Sequence, residues 1–240
     1  MGSFKPGDPG DVRTLFDSIA PRYDQLNDLL SLGLHRLWKR RAVAWLRPRA
    51  GQRLLDLCCG TGDLALVLAD KVRPGGHVLG LDAAAEPLRL ALQRSSSQSW
   101  LPLGWQQGDA LATGLPAGSF DGAVMAYGLR NLPDPAAGLM ELRRLLKPGG
   151  RAAVLDFNRP DPAHWTGAVQ QVFQRAYLRG LVVPTARALG LPEQYAYLED
   201  SLQRFPTGPE QEHLARGAGF SHARHRLLAA GQMGLLELVA

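Results

Sequence analysis

Cysteine is scarce in this 240-residue sequence: there are two, Cys58 and Cys59, side by side in an apolar run. Two adjacent thiols cannot cross-link a fold, and without a nearby histidine or further cysteine they do not make a zinc site. Neither a disulfide framework nor a metal centre is expected; the pair reads as small buried hydrophobes. Long hydrophobic runs are missing as well, since none approaches the roughly 18 residues of a membrane-crossing helix. The Gly- and Pro-rich opening from Met1 to Asp11 has no apolar signal core. The expectation is a cytoplasmic protein, soluble or peripheral to a membrane. Charge of one sign is not gathered into a long block either. The net charge is +5 and the isoelectric point near 9.6, but the basic residues are interleaved with acids, which argues against nucleic acid as the partner. The densest basic stretch is Arg36, Lys39, Arg40, Arg41, Arg47, Arg49 and Arg53. It reads as a solvated helix face or as a surface drawn to an anionic membrane. Internal repeats are absent, and low complexity is confined to the serines between Ser95 and Ser99.

What is present suits one α/β domain: 45% hydrophobic residues in a chain of this length give a full core but not two. Residues 12 to 47 carry apolar side chains at helical spacing, with Pro21 as a break, and read as an N-terminal arm and helical lid (1–47) ahead of the main domain (48–240). Strand-like runs follow at Arg53–Cys58, His77–Asp82, Leu103–Gln107, Gly122–Tyr127 and Arg151–Phe157. Helical stretches lie between several of them, one from Ala136 to Leu146 stopping at Lys147-Pro148-Gly149-Gly150. Residues 158–206 look like an insertion over the sheet edge. A helix from Glu210 to Arg216 and two β-like runs, Ala223–Leu228 and Met233–Val239, close the chain. The expected fold is a Rossmann-like, mostly parallel seven-stranded sheet with helices on both faces.

Gly60-Thr61-Gly62 stands where a strand passes into a helix, so the backbone can approach a ligand without Cβ interference. Asp82 ends the second strand 20 residues after Gly62, where a carboxylate can accept from both hydroxyls of a ribose. These residues specify an adenosine-type pocket. Gly60-x-Gly62-x-x-Ala65 also satisfies a dinucleotide pattern, and charge separates the two readings. Asp63 at the helix start repels a pyrophosphate, whereas S-adenosyl-L-methionine, cationic at sulfur and amine, gains from Asp56 and Asp63. Gly108-Asp109-Ala110 follows the third strand, in place to meet the adenine amino group. An NAD-dependent reductase and a binding module that has lost its chemistry remain as other readings, the latter hinted at by Ala83-Ala84-Ala85.

Several stretches resemble the ubiquinone/menaquinone biosynthesis C-methyltransferase family: Phe16-Asp-Ser-Ile-Ala-Pro-Arg-Tyr-Asp-Gln-Leu-Asn27, Leu30-Ser-Leu-Gly-Leu-His-Arg-Leu-Trp-Lys-Arg40, Leu55-Asp-Leu-Cys-Cys-Gly-Thr-Gly-Asp-Leu-Ala65, Tyr127-Gly-Leu-Arg-Asn131 and Leu145-Leu-Lys-Pro-Gly-Gly-Arg151. The resemblance runs from about residue 12 to the C-terminus. Val182-Val-Pro-Thr-Ala-Arg187, Tyr195-Ala-Tyr-Leu198 and Phe205-Pro-Thr-Gly-Pro-Glu-Gln211 look like its phylloquinone branch. It implies methylation of 2-phytyl-1,4-naphthoquinol, a prenylated naphthoquinol, as the last step of phylloquinone synthesis, with demethylmenaquinol or a ubiquinone-type benzoquinol as the alternative acceptor. Cofactor contacts implied by the motifs are Thr61, Asp82, Asp109 and Ala110. Two departures stand out: Ala83-Ala84-Ala85 where Phe-Ser usually follows the acid, and Ala126 where a small polar residue is common.

A ring carbon attacks a methyl donor only when a neighbouring phenol ionises, which at neutral pH costs roughly 4 kcal/mol. Arg130, just past the fourth strand, is the candidate to stabilise the phenolate, with Asn131 orienting it or a water. Tyr23 and His35 on the expected lid are secondary candidates for proton handling. A phytyl chain keeps its substrate in a bilayer, so the basic stretch and the apolar residues from 165 to 190 are candidates for membrane docking and a prenyl groove.

Overall fold

Strand and helix alternate along the chain, and the apolar period, near two in the strands, decides which face each residue serves. The computed structural model describes residues 8, 10–18, 20, 31, 33–161, 165–177, 180 and 192–240. Residues 10–18 are helical. There follow α1 (His35–Leu46), β1 (Arg53–Leu57), α2 (Asp63–Lys71), β2 (His77–Asp82), α3 (Ala85–Ser96), β3 (Leu103–Gln107), β4 (Phe120–Ala126), a 3₁₀ turn (Leu129–Asn131), α4 (Pro135–Leu145) and β5 (Leu146–Phe157). The chain closes with α5 (Trp165–Tyr177), α6 (Pro192–Arg204), α7 (Gly208–Gly217), β6 (His222–Leu228) and β7 (Met233–Val239).

The seven strands form one sheet in the order β3-β2-β1-β4-β5-β7-β6. The first five run parallel, and β7 lies antiparallel between β5 and β6. Because both faces are covered, the central strands are mostly apolar on both faces. Leu55 and Leu57 point into one layer with Phe120, Met125, Leu139 and Leu142. Leu54 points into the other with Leu68, Val78, Val124 and Leu155. Asp56 shares the parity of Leu54, so a carboxyl is carried into the second layer. The strand order reverses between β1 and β4, and a fold of this kind binds its ligand in the crevice at that point.

Most expected elements are present with ends moved by a few residues. The largest shift is in β5, which starts at Leu146 rather than Arg151: Leu146 pairs with Phe120, the register slips, and Arg151 pairs with Gly122. Lys147-Pro148-Gly149-Gly150 is therefore an irregularity within the strand, made possible by the positive φ of Gly149. Helix α4 ends one residue sooner than its stop signal suggests and begins on Pro135, with the Asp134 carboxylate accepting the N–H groups of Ala136 and Ala137. Helix α1 packs within the second layer through Ala42, Val43 and Leu46. The Trp45 indole donates to the Ala152 carbonyl at 3.0 Å, and the Arg151 guanidinium lies over its ring. Among the described residues no helix is long and apolar enough to cross a membrane.

Candidate active site

A cavity of about 1210 Å³, its open mouth included, lies at the C-terminal ends of β1, β2 and β4. Its floor is the turn from β1 into α2. There Gly60 and Gly62 adopt positive φ, and a Cβ on Gly62 would collide with the Trp105 ring. Only glycine fits such a position. The loop is held from both sides by carboxylates. Gly60 N–H donates to Asp82 Oδ2 at 2.8 Å, and Ala84 N–H to Asp82 Oδ1 at 2.9 Å. Burial pushes the Asp82 carboxyl above its ordinary range, against the pull of those N–H groups. Asp56 Oδ2 accepts the Ala65 N–H at 2.8 Å in the first turn of α2, and burial raises its pKa to about 7.

The other wall comes from the end of β4. Tyr127 has positive φ, as does Cys58 beyond β1. A Cβ on Gly128 would sit 2.6 Å from that of Cys58, so the two loops touch only because Gly128 lacks one. Backbone strain of this kind persists where neighbours enforce it. Tyr127 N–H donates to the Leu155 carbonyl at 2.7 Å, and its own carbonyl accepts from Arg130 Nη1 (3.1 Å) and Asn131 Nδ2 (2.8 Å). The neighbouring cysteines are not reactive thiols, because burial, then Asp56 and Asp82, push both well above their ordinary pKa.

Of the expected site residues, the cavity brings together Asp56, Gly60, Thr61, Asp82, Asp109, Ala110 and Asn131. Gly62 shapes the loop from behind. Arg130 is placed differently from the expectation. Its side chain is 8% exposed and ion-paired at 2.7 Å with Asp156, itself 3% exposed; it lies over the Phe157 ring and is not among the cavity-lining residues. A buried carboxylate one strand away drew the guanidinium inward. His35 is also elsewhere: it is buried at the start of α1, its Nδ1 2.8 Å from Ser31 Oγ, and lines a separate groove. Tyr23 lies outside the described residues, as do Leu181, Val182 and Val183 of the expected prenyl region. Val172 of that region is exposed.

Asp63 overturns part of the charge argument. Lys39 Nζ lies 2.9 Å from one of its oxygens and Arg94 Nη2 2.6 Å from the other. Burial raises the Asp63 pKa, but the two cations more than offset that and hold it below the ordinary range. With its partners the cluster is net positive, so Asp63 neither repels a phosphate nor attracts a sulfonium, and the negative charge facing a ligand is that of Asp56 and Asp82. At the alanines 83–85, the Ala84 N–H donates to Asp82 through its backbone. Sequence reading missed Tyr197, whose hydroxyl donates to Asn131 Oδ1 at 3.0 Å and whose ring packs on Val12, Leu15 and Phe16. Asp17 Oδ1 accepts the Glu86 N–H at 2.9 Å. The N-terminal helix is thus tied down at both places while Val12, Phe16 and Ala20 roof the cavity.

A sheet of this order with a glycine-loop cavity at its switch point defines the class I methyltransferase fold. Solved structures agree: an S-adenosylmethionine-dependent methyltransferase from Aquifex aeolicus superposes with a TM-score of 0.60 at 16% identity, covering 97% of this chain and 98% of that one. A methyltransferase from Thermotoga maritima described as a possible histamine N-methyltransferase gives 0.63 at 18%, covering 95% and 99%. The chain belongs to the ubiE/COQ5 methyltransferase family, whose model matches residues 5–236. Its curated relatives include the 2-phytyl-1,4-naphtoquinone methyltransferase of Synechococcus elongatus, 49% identical over 97% of this chain and 98% of that protein. The chloroplastic 2-phytyl-1,4-beta-naphthoquinone methyltransferase of Arabidopsis thaliana is 43% identical over 93% and 85%. The chain is a methyltransferase, and its methyl donor is S-adenosylmethionine. The cavity suits that donor: two buried carboxylates flank the glycine loop, and the Asp82 oxygens, held by the N–H groups of Gly60 and Ala84, keep lone pairs for ribose hydroxyls.

Proposed function

We propose that this enzyme methylates a ring carbon of 2-phytyl-1,4-naphthoquinol, the reduced quinone, the final step in making phylloquinone. The observation that carries the reading is likeness along nearly the whole chain to relatives bearing that activity in their names, at 43–49% identity. S-adenosylmethionine supplies an electrophilic methyl group on a cationic sulfur. Asp82, Asp56 and the Gly60–Gly62 loop hold the donor, with Asp109 and Ala110 beside its base. Carbon attacks only from the phenolate form, whose generation near neutral pH costs roughly 4 kcal/mol. Asn131, fixed by Tyr127 and Tyr197, is placed to orient the acceptor hydroxyl or a water that takes its proton.

Arg130 acts through the loop rather than on the ring. Its ion pair with Asp156 and its bond to the Tyr127 carbonyl keep the residues from 127 to 131 in their strained path, so it is a positioning residue. Val12, Phe16, Leu132 and Pro133 wall off water, which lets acceptor carbon and donor methyl meet in line. The phytyl chain, with roughly 20 carbons at about 0.8 kcal/mol per buried CH₂, stays in lipid; the enzyme therefore works at a membrane surface. Competition between 2-phytyl-naphthoquinol, demethylmenaquinol and a prenylated benzoquinol in one assay tests the acceptor. Preference for the phytyl compound is expected; preference for the benzoquinol overturns the reading.

A further inference from the structure

Behind the donor loop, between α1 and α2, runs a second groove lined by apolar residues and by charged ones that are cationic except for Asp63: Arg36, Arg40, Arg47 and Lys71, with Lys39 and Arg94 already occupied by Asp63. Arg40, Arg47 and Lys71 have no acidic partner among the described residues. Beside these charges three aliphatic side chains stand in water: Leu34 at 48% exposure, Leu37 at 50% and Val67 at 45%. Cations interspersed with bare aliphatic tips match an anionic bilayer, which offers phosphate headgroups and an apolar phase within a few ångströms. A nucleic-acid backbone offers the first and not the second. Lys39, Asp63 and Leu64 line both this groove and the donor cavity, so a membrane held here lies next to the site that must receive a lipid-borne acceptor.

We propose that the face formed by Arg36, Leu37, Arg40, Arg47, Val67 and Lys71 docks on anionic phospholipid headgroups. The proposal gives the membrane-surface reading of the previous subsection its contact residues, and it rests on that reading. Of the rest of the basic stretch, Arg53 lies over the Phe120 ring, and Arg41 and Arg49 are outside the groove lining.

Co-sedimentation of the full chain with phosphatidylcholine vesicles, with and without phosphatidylglycerol, tests it. Binding is expected only with the anionic lipid and is expected to weaken as salt shortens the Debye length. At about fivefold per cation, the double variant Arg40→Gln/Arg47→Gln loses roughly 25-fold in partition coefficient, while Arg49→Gln stays within about twofold. Unchanged melting temperature shows that the double variant is folded, and the salt series on the unaltered chain needs no variant. Equal binding to both vesicle types, salt-independent binding, equal losses from Arg49→Gln, or tighter binding to a short RNA than to anionic vesicles would each overturn the proposal. Methylation of a detergent-dispersed quinol by the unaltered chain is measured alongside. Turnover without vesicle binding removes the docking face and leaves the methyl-transfer reading; vesicle binding without turnover on any quinol does the reverse.

Discussion

The two halves of the cavity are built in different ways. The half assigned to the donor comes mostly from nearly contiguous chain, β1 through the end of β2, with Asp109 and Ala110 added after β3, and its fixed parts are two glycines with positive φ and backbone N–H groups on Asp56 and Asp82. The acceptor half draws on segments far apart, with the loop after β4, Asp156 at the end of β5, Tyr197 on α6 and the N-terminal helix meeting around Asn131. A donor common to many acceptors can be held by a fixed loop, whereas an acceptor wall made of side chains from separate elements can change one element at a time. Damage to the acceptor half is expected to appear as lost stability or lost turnover, and damage to the donor half as lost affinity for the donor.

The largest effect is expected from Asp156→Ala. It leaves the Arg130 guanidinium buried without its counter-ion, and breaking such a pair costs about 3–5 kcal/mol, to be read from denaturant melts. Replacing both members, Arg130→Met with Asp156→Leu, is expected to restore much of that loss. If instead Arg130→Met leaves stability untouched and abolishes turnover, Arg130 belongs to the chemistry and not to the scaffold. Next is Asp82→Ala, which removes two charge-assisted ribose bonds at about 1.5 kcal/mol each. Calorimetry should show the donor Kd rising roughly 100-fold, with a much smaller change in the acceptor KM.

Tyr197→Phe deletes one hydrogen bond to Asn131. At about 1 kcal/mol, kcat should fall roughly fivefold with the donor Kd unchanged; a shift in Kd alone would erase the distinction between the halves. The smallest effect is in pH. The Asp56 carboxyl, raised by burial to about 7, is neutral below that and charged above, so affinity for the cationic donor is expected to improve severalfold as pH rises through about 7, and Asp56→Asn should flatten the profile. Its folded pKa exceeds the ordinary 3.8, so its contribution to stability is complete below about pH 4 and lost as pH rises through about 7. Asp56→Asn should accordingly melt closer to the unaltered chain in acid than in base.

The donor half was legible because its constraints are local: a strand, a glycine pair, a helix and an acid at fixed spacing leave little freedom, and Gly60, Gly62 and Asp82 stand where that spacing puts them. Even there Asp63 misled. Its partners are 24 residues before it and 31 after it, a distance over which sequence spacing carries no signal. In the acceptor half Asn131 could be read, but Arg130 was assigned to the ring because nothing in the string Tyr127-Gly-Leu-Arg-Asn131 announces Asp156. Tyr197 was visible only as part of the Tyr195-Ala-Tyr-Leu198 resemblance, without a role. The strand count and the mostly parallel sheet followed from alternation of elements; the strand order did not. The long start of β5 did not, because Pro148 and Gly149 signal a stop whether the chain leaves the sheet or bulges within it.

The central claim is that carbon of a reduced ring accepts the methyl group. Incubating the enzyme with methyl-labelled S-adenosylmethionine and either the reduced or the oxidised 2-phytyl naphthoquinone, then locating the label by mass spectrometry and carbon NMR, tests it most directly. The label is expected on the ring carbon adjacent to a hydroxyl-bearing carbon and only with the reduced substrate. Label on oxygen, or equal labelling of the oxidised ring, would contradict it.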